Sequence, residues 1–83
     1  MEDSAYPYVI GQAYLFRTVT YSVSGIVVWV GPHEIVVTDA AWIADVGRFG
    51  EALKTGEFDE VEAAPDGEVI VARGAITDAW PIP

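Results

Sequence analysis

The stretch Ser24-Gly25-Ile26-Val27-Val28-Trp29-Val30-Gly31-Pro32-His33-Glu34-Ile35-Val36-Val37-Thr38 decides the fold. Two β-branched, apolar runs flank four residues dense in turn formers, which is the pattern of a β-hairpin. The continuous run Ile26 to Val30 is of the kind buried on both faces or bent around a core, and Ser24-Gly25 before it marks a bulge or tight turn. Working toward the N-terminus, Gln12 to Val23 alternates. Ala13, Leu15, Val19, Tyr21 and Val23 fall on one side, with Tyr14, Phe16, Thr18, Thr20 and Ser22 on the other, so this segment is read as one strand.

Working toward the C-terminus, Asp39 to Asp45 fits either a continued strand or the start of a helix. From Asp45 the pattern predicts a short helix within residues 45 to 56. Asp45 stands at a capping position, Phe49, Ala52 and Leu53 recur at helical spacing, and Gly56 ends the run after Lys54. Gly47 and Gly50 each weaken it by about 1 kcal/mol relative to alanine, so tertiary contacts have to hold it. Phe58 to Ala64 alternates again, Pro65-Asp66-Gly67-Glu68 is a turn, and Val69 to Ala72 is a further strand. Gly74 breaks it, Ala75-Ile76 is read as a last short strand, and Trp80-Pro81-Ile82-Pro83 as an extended tail. This order predicts a mainly β, small, strongly bent barrel of the SH3-like or Sm-like kind with one short helix. The chain is read as one domain over 1–83, with its core at about 12–78 and extended ends at 1–11 and 79–83; 83 residues are too few for two cores.

Hydrophobic residues make up 52% and charged residues 20% of the chain, a composition that folds despite a net charge of −9. Cysteine is absent, which excludes a disulfide framework, a thiolate metal site and a cysteine nucleophile. No apolar run approaches the roughly 20 residues that span a bilayer, and Met1-Glu2-Asp3-Ser4 is acidic where a secretory signal is basic. Synthesis in the cytoplasm without membrane attachment is the expectation. Thirteen carboxylates against Arg17, Arg48, Lys54 and Arg73 oppose binding to duplex nucleic acid, though the same acidity also serves plain solubility.

Catalytic chemistry finds little footing. The single histidine, His33, lies in the hairpin turn with no second histidine or cysteine to complete a transition-metal site or relay. The glycines occur singly and form neither a dinucleotide fingerprint nor a phosphate loop. Asp59, Glu60 and Glu62 are the densest acidic cluster, but strand alternation separates Asp59 from the other two, and the cluster is read as a solvated face. The expectation is a protein that is not an enzyme and carries no metal or cofactor. Ten aromatic residues exceed what so small a core easily holds. Either they close the ends of the barrel, or Trp42, Arg48, Phe49, Trp80 and Tyr8 form an interface.

Arg17-Thr18-Val19-Thr20-Tyr21, the block Asp39-Ala40-Ala41-Trp42-Ile43-Ala44-Asp45-Val46-Gly47-Arg48-Phe49, then Leu53-Lys54-Thr55-Gly56, Glu60-Val61-Glu62, Pro65-Asp66-Gly67 and Arg73-Gly74 resemble a family of small uncharacterised proteins of tailed phages and prophages. The resemblance covers roughly residues 14 to 78 and supplies no catalytic or ligand residues. It implies a phage structural accessory located in the virion, such as a minor capsid or decoration protein docking on the major capsid protein or another virion protein. The other expected class is a small oligomeric binding module, a nucleotide-sequestering counter-defence protein or an Sm-like ring. That class would use Arg17, Arg48 and Arg73 as phosphate forks between subunits. Self-association is expected in either class.

Overall fold

A computed structural model describes residues 7–83; the acidic start Met1–Ser4 and the first six residues of the expected extended end lie outside the described residues. The decisive hairpin is present. Strand β2 (Ser22–Val30) turns through Gly31-Pro32-His33 into β3 (Glu34–Asp45), and the Gly31 N–H donates to the Glu34 carbonyl at 2.9 Å. Their pairing runs from Val30 opposite Ile35 to Ser22 opposite Ile43, with register shifts at Ser24/Ile26 and Val27/Trp29. The first shift lies opposite Gly25, but its extra residue is on β3, within Asp39-Ala40; the extra residue that β2 carries is Val28, at the second shift.

β1 (Ala13–Arg17) lies antiparallel to β2, and β4 (Glu60–Ala63) and β5 (Glu68–Ala72) lie antiparallel to the two halves of β3. β4 and β5 therefore act as one edge strand interrupted at 64–67, where Ala40 donates to the Gly67 carbonyl and Ala64 to the Ala40 carbonyl, both at 2.9 Å. Opposite that interruption Asp39 takes φ 51°, a left-handed conformation that kinks β3. Helix α1 (Phe49–Thr55) joins β3 to β4.

Four sequence expectations need correction. The strand read over 12–23 is two strands, because Thr18 to Tyr21 makes a turn. Its Oγ1 accepts from the Tyr21 N–H at 3.1 Å, and the Thr18 N–H donates to the Tyr21 carbonyl at 2.8 Å. The helix starts at Phe49 rather than being capped by Asp45, whose Oδ1 instead accepts the Gly47 N–H at 2.9 Å. Its end is as expected, with Gly56 at φ 76° donating to the Ala52 carbonyl. A 3-10 turn (Arg73–Ala75) replaces the short strand expected at Ala75-Ile76. Finally, the tail is no free arm: β6 (Asp78–Ile82) pairs with β1 from Arg17 opposite Asp78 to Ala13 opposite Ile82. Pro81 is tolerated because β6 is an edge strand, where a missing N–H breaks no ladder.

The strand order is β4-β3-β2-β1-β6, with β5 beside β3. The mainly β fold with one short helix is as expected; no ladder joins β6 to β4 or β5, so the bent sheet does not close into a full barrel. The sheet is nevertheless curled, since Tyr14 and Phe16 of β1, Val27 of β2, Ile35 and Val37 of β3 and Val71 of β5 meet in one core cluster that also receives Ala79 of β6. β1 buries both of its faces. Tyr14 and Phe16 enter that cluster, while Leu15 points the other way into a second cluster with Ile43 and Ile82, against which Phe49, Leu53 and Phe58 pack. Leu15 and Phe16 are fully buried, and each such side chain contributes about 1.5–3 kcal/mol over its exposed state.

Candidate docking surface

Among the described residues no three His, Asp or Glu side chains are arranged to hold a metal ion, and no helix is long and apolar enough to cross a membrane. His33 is exposed in the hairpin turn. The side chains that do assemble are the aromatic and arginine residues singled out from the sequence, and they assemble in three separate places.

The first place is the junction of β1, β6 and α1. Arg17 donates from Nε and Nη2 to both carboxylate oxygens of Asp78 at 2.7 Å, and its guanidinium lies 4.7 Å from the centre of the Phe49 ring. The Trp80 indole meets Phe49 edge-on with 5.1 Å between centres and donates from Nε1 to Asp78 Oδ1 at 3.0 Å. The Arg17 hydrogen bond, supported by that of Trp80, holds the Asp78 carboxyl below the usual carboxylate range, and the same pairing pushes Arg17 up. Phe49 and Trp80 thus fasten helix to sheet. Of the two, Trp80 keeps the more exposed ring.

The second place is the hairpin end. Tyr8 packs edge-on against Tyr14 with 5.4 Å between ring centres and lies 5.7 Å from Phe16, so it covers the main core rather than projecting toward a partner. Arg73 sits 5.8 Å from the Tyr8 ring and donates from Nη1 to the Gly31 carbonyl at 2.7 Å. Burial pushes the Tyr8 hydroxyl up, against the opposing pull of Arg73. Arg17 and Arg73 are each engaged within the chain, and Arg48 is exposed at the start of α1 beside Glu51 and Lys54. The structure gives these arginines separate settings and no common fork.

The third place is the C-terminal half of β3. Trp42 stands between Val23 of β2 and Glu62 of β4 and remains 47% exposed. Trp42 and Ala44 form a rib between two shallow grooves. One, of about 390 Å³, is also bordered by Arg17, Thr18, Tyr21, Ser22 and Asp78. The other, of about 540 Å³, is completed by Asp59, Glu60, Val61 and Glu62. Among the described residues no ring contact joins Trp42 to Phe49, with which the sequence reading groups it, although its first groove reaches the Arg17–Asp78 pair.

One exposed row escaped the sequence reading. Trp29, Val36 and Ile70 are directly opposite one another across β2, β3 and β5, and Trp29 is 49% and Ile70 70% exposed. The run Ile26 to Val30 is thus not buried on both faces. Gly31 carries the one local signal, because the Trp29 ring lies where a Gly31 side chain would be. Compared with known proteins, the chain matches no family model, no curated protein and no solved structure.

Proposed function

We propose that this protein is a non-enzymatic docking module, a phage structural accessory that sits on the major capsid protein or another virion protein through the face bearing Trp42. The virion context rests on the resemblance of the Asp39 to Phe49 block to small phage proteins. The observation that carries docking is the position of Trp42. Phe49 and Tyr8 are engaged within the chain, whereas the Trp42 indole stands half exposed on the rib between two grooves of one sheet face. A tryptophan set among grooves is the usual form of an interface anchor, since covering it removes a large apolar area from water at little cost in side-chain freedom. A phosphate-binding ring has less support, because Arg17 and Arg73 are already spent on Asp78 and on the Gly31 carbonyl.

The test is sedimentation of purified particles with wild-type and Trp42→Ala protein, alongside thermal melts of both. The expected result is loss of Trp42→Ala from the particle fraction with a melt close to that of wild type. Full occupancy of the variant rules out this face, and absence of the wild-type protein from virions rules out the capsid role.

A further inference from the structure

We infer that the Trp42 face receives an extended, lysine- or arginine-bearing segment of the partner protein, added as a strand along the free edge of β4. This deepens the docking reading and rests on it. β4 pairs with β3 on one side only, no strand of the described residues lies on its other side, and all four of its residues are exposed. Its unpaired backbone groups form a template for a further strand.

Side-chain alternation dictates what such a strand must carry. Glu62 is directly opposite Trp42, and Glu60, two residues away, shares its face. An added strand sets the Cβ atoms of alternate residues about 5 Å from those of Glu60 and Glu62. The groove there is lined by Trp42, Ala44, Val61 and the carboxylates of Asp59, Glu60 and Glu62, with no basic side chain. None of the three carboxylates has an ion-pair partner among the described residues. A cation beside the indole and between Glu60 and Glu62 gains both π-face attraction and charge pairing. On the opposite face of β4, Val61 and Ala63 border a shallow groove with Ala41 and Phe58, which suits apolar side chains at the intervening positions. A second copy of this chain fits badly, because pairing β4 with β4 sets glutamate against glutamate within a molecule of charge −9.

The experiment is a nuclear magnetic resonance titration with a blocked six-residue peptide alternating lysine and valine, and with its glutamine and valine analogue. The lysine peptide is expected to shift the Glu60–Ala63 amides and the Trp42 indole saturably at millimolar concentration. The double variant Glu60→Gln, Glu62→Gln is expected to weaken it about tenfold, the loss set by two exposed charge pairs. Equal binding of the two peptides, unchanged affinity in the double variant, or shifts confined to other strands each overturn the inference. Particle sedimentation separates this inference from the docking reading. Release by Trp42→Ala with retention of the double glutamine variant keeps docking and removes the basic segment, whereas retention of both removes both.

Discussion

Adding one methyl group at Gly25 should destabilise the protein, while adding the same group at Gly50 should not. Gly25 is buried in β2, opposite Tyr14 of β1 on one side and the bulge of β3 at Asp39-Ala40 on the other. A Cβ built on it falls 2.8 Å from both Cβ and Cγ2 of Val37 and 3.3 Å from the Thr38 carbonyl oxygen. Carbon atoms rest at about 3.5 Å or more, so the overlap is about 0.7 Å. Rotating Val37 moves its Cγ2 but leaves its Cβ, which is fixed to the β3 backbone. Relief therefore requires β2 and β3 to part beneath a fully buried side chain. Overpacking of this kind costs about 1–3 kcal/mol. At about 4–8 °C per kcal/mol for a domain of this size, a 2 kcal/mol loss lowers the melting temperature by about 8–16 °C. At Gly50, in α1, a Cβ meets nothing within 4 Å, and replacing a helical glycine by alanine gains about 0.5–1 kcal/mol. Thermal and urea unfolding of Gly25→Ala and Gly50→Ala, followed by circular dichroism, measure both. The reasoning fails if Gly25→Ala melts at or above wild type, or if Gly50→Ala falls as far as Gly25→Ala.

Trp80→Ala removes the ring that meets Phe49 and the indole donor to Asp78, and urea unfolding should register a loss of about 1–3 kcal/mol with the fold retained. An unchanged midpoint would mean that the packing of Phe49, Leu53 and Phe58 on the Leu15 cluster suffices to fasten helix to sheet. The Asp78 carboxyl is held down by Arg17, so its stabilising share is present above the unfolded carboxylate value of about 4 and disappears as pH falls through the lower folded value. The gap in melting temperature between wild type and Asp78→Asn should accordingly be small and salt-sensitive at pH 7 and vanish in acid; a gap that widens in acid would contradict the pairing.

Much of the fold was readable because its signals are local. The β2–β3 hairpin is announced by turn formers between two β-branched runs, and Gly56 ends α1 by supplying a left-handed residue. What escaped depends on distant partners or on unusual turn chemistry. The Thr18 to Tyr21 turn contains no glycine or proline and is held through a threonine hydroxyl, so the alternation on either side of it looks continuous. In Asp39 to Asp45 the buried residues Ala40 and Ile43 are three apart, a helical spacing, because the extra residue at Asp39-Ala40 breaks the two-residue period of the strand. For β6 the proline argued against a strand, and its partner β1 lies more than sixty residues away in the chain. The candidate site followed the same rule. Trp42 was legible by type as a candidate for a contact, but that Phe49 instead meets Arg17 and Trp80 depends on residues no local pattern connects.

The two ends of the sheet are protected by different means, and the difference bears on what can dock. At β6 the ladder is blocked chemically, because Pro81 offers no N–H, Trp80 is folded onto Phe49, and Pro83 packs over Gly56. That protection is indifferent to the approaching strand. At β4 no residue from Glu60 to Ala63 is proline, so every backbone donor is present, and the protection comes from Glu60 and Glu62. Charge discriminates where proline does not. It repels another copy of an acidic chain and, in the proposed docking, attracts a basic segment, so the same pair of glutamates opposes edge-to-edge pairing and favours that partner. Specificity built this way is a difference between two electrostatic energies, and so it weakens as salt shortens the screening length, while the block at Pro81 does not change.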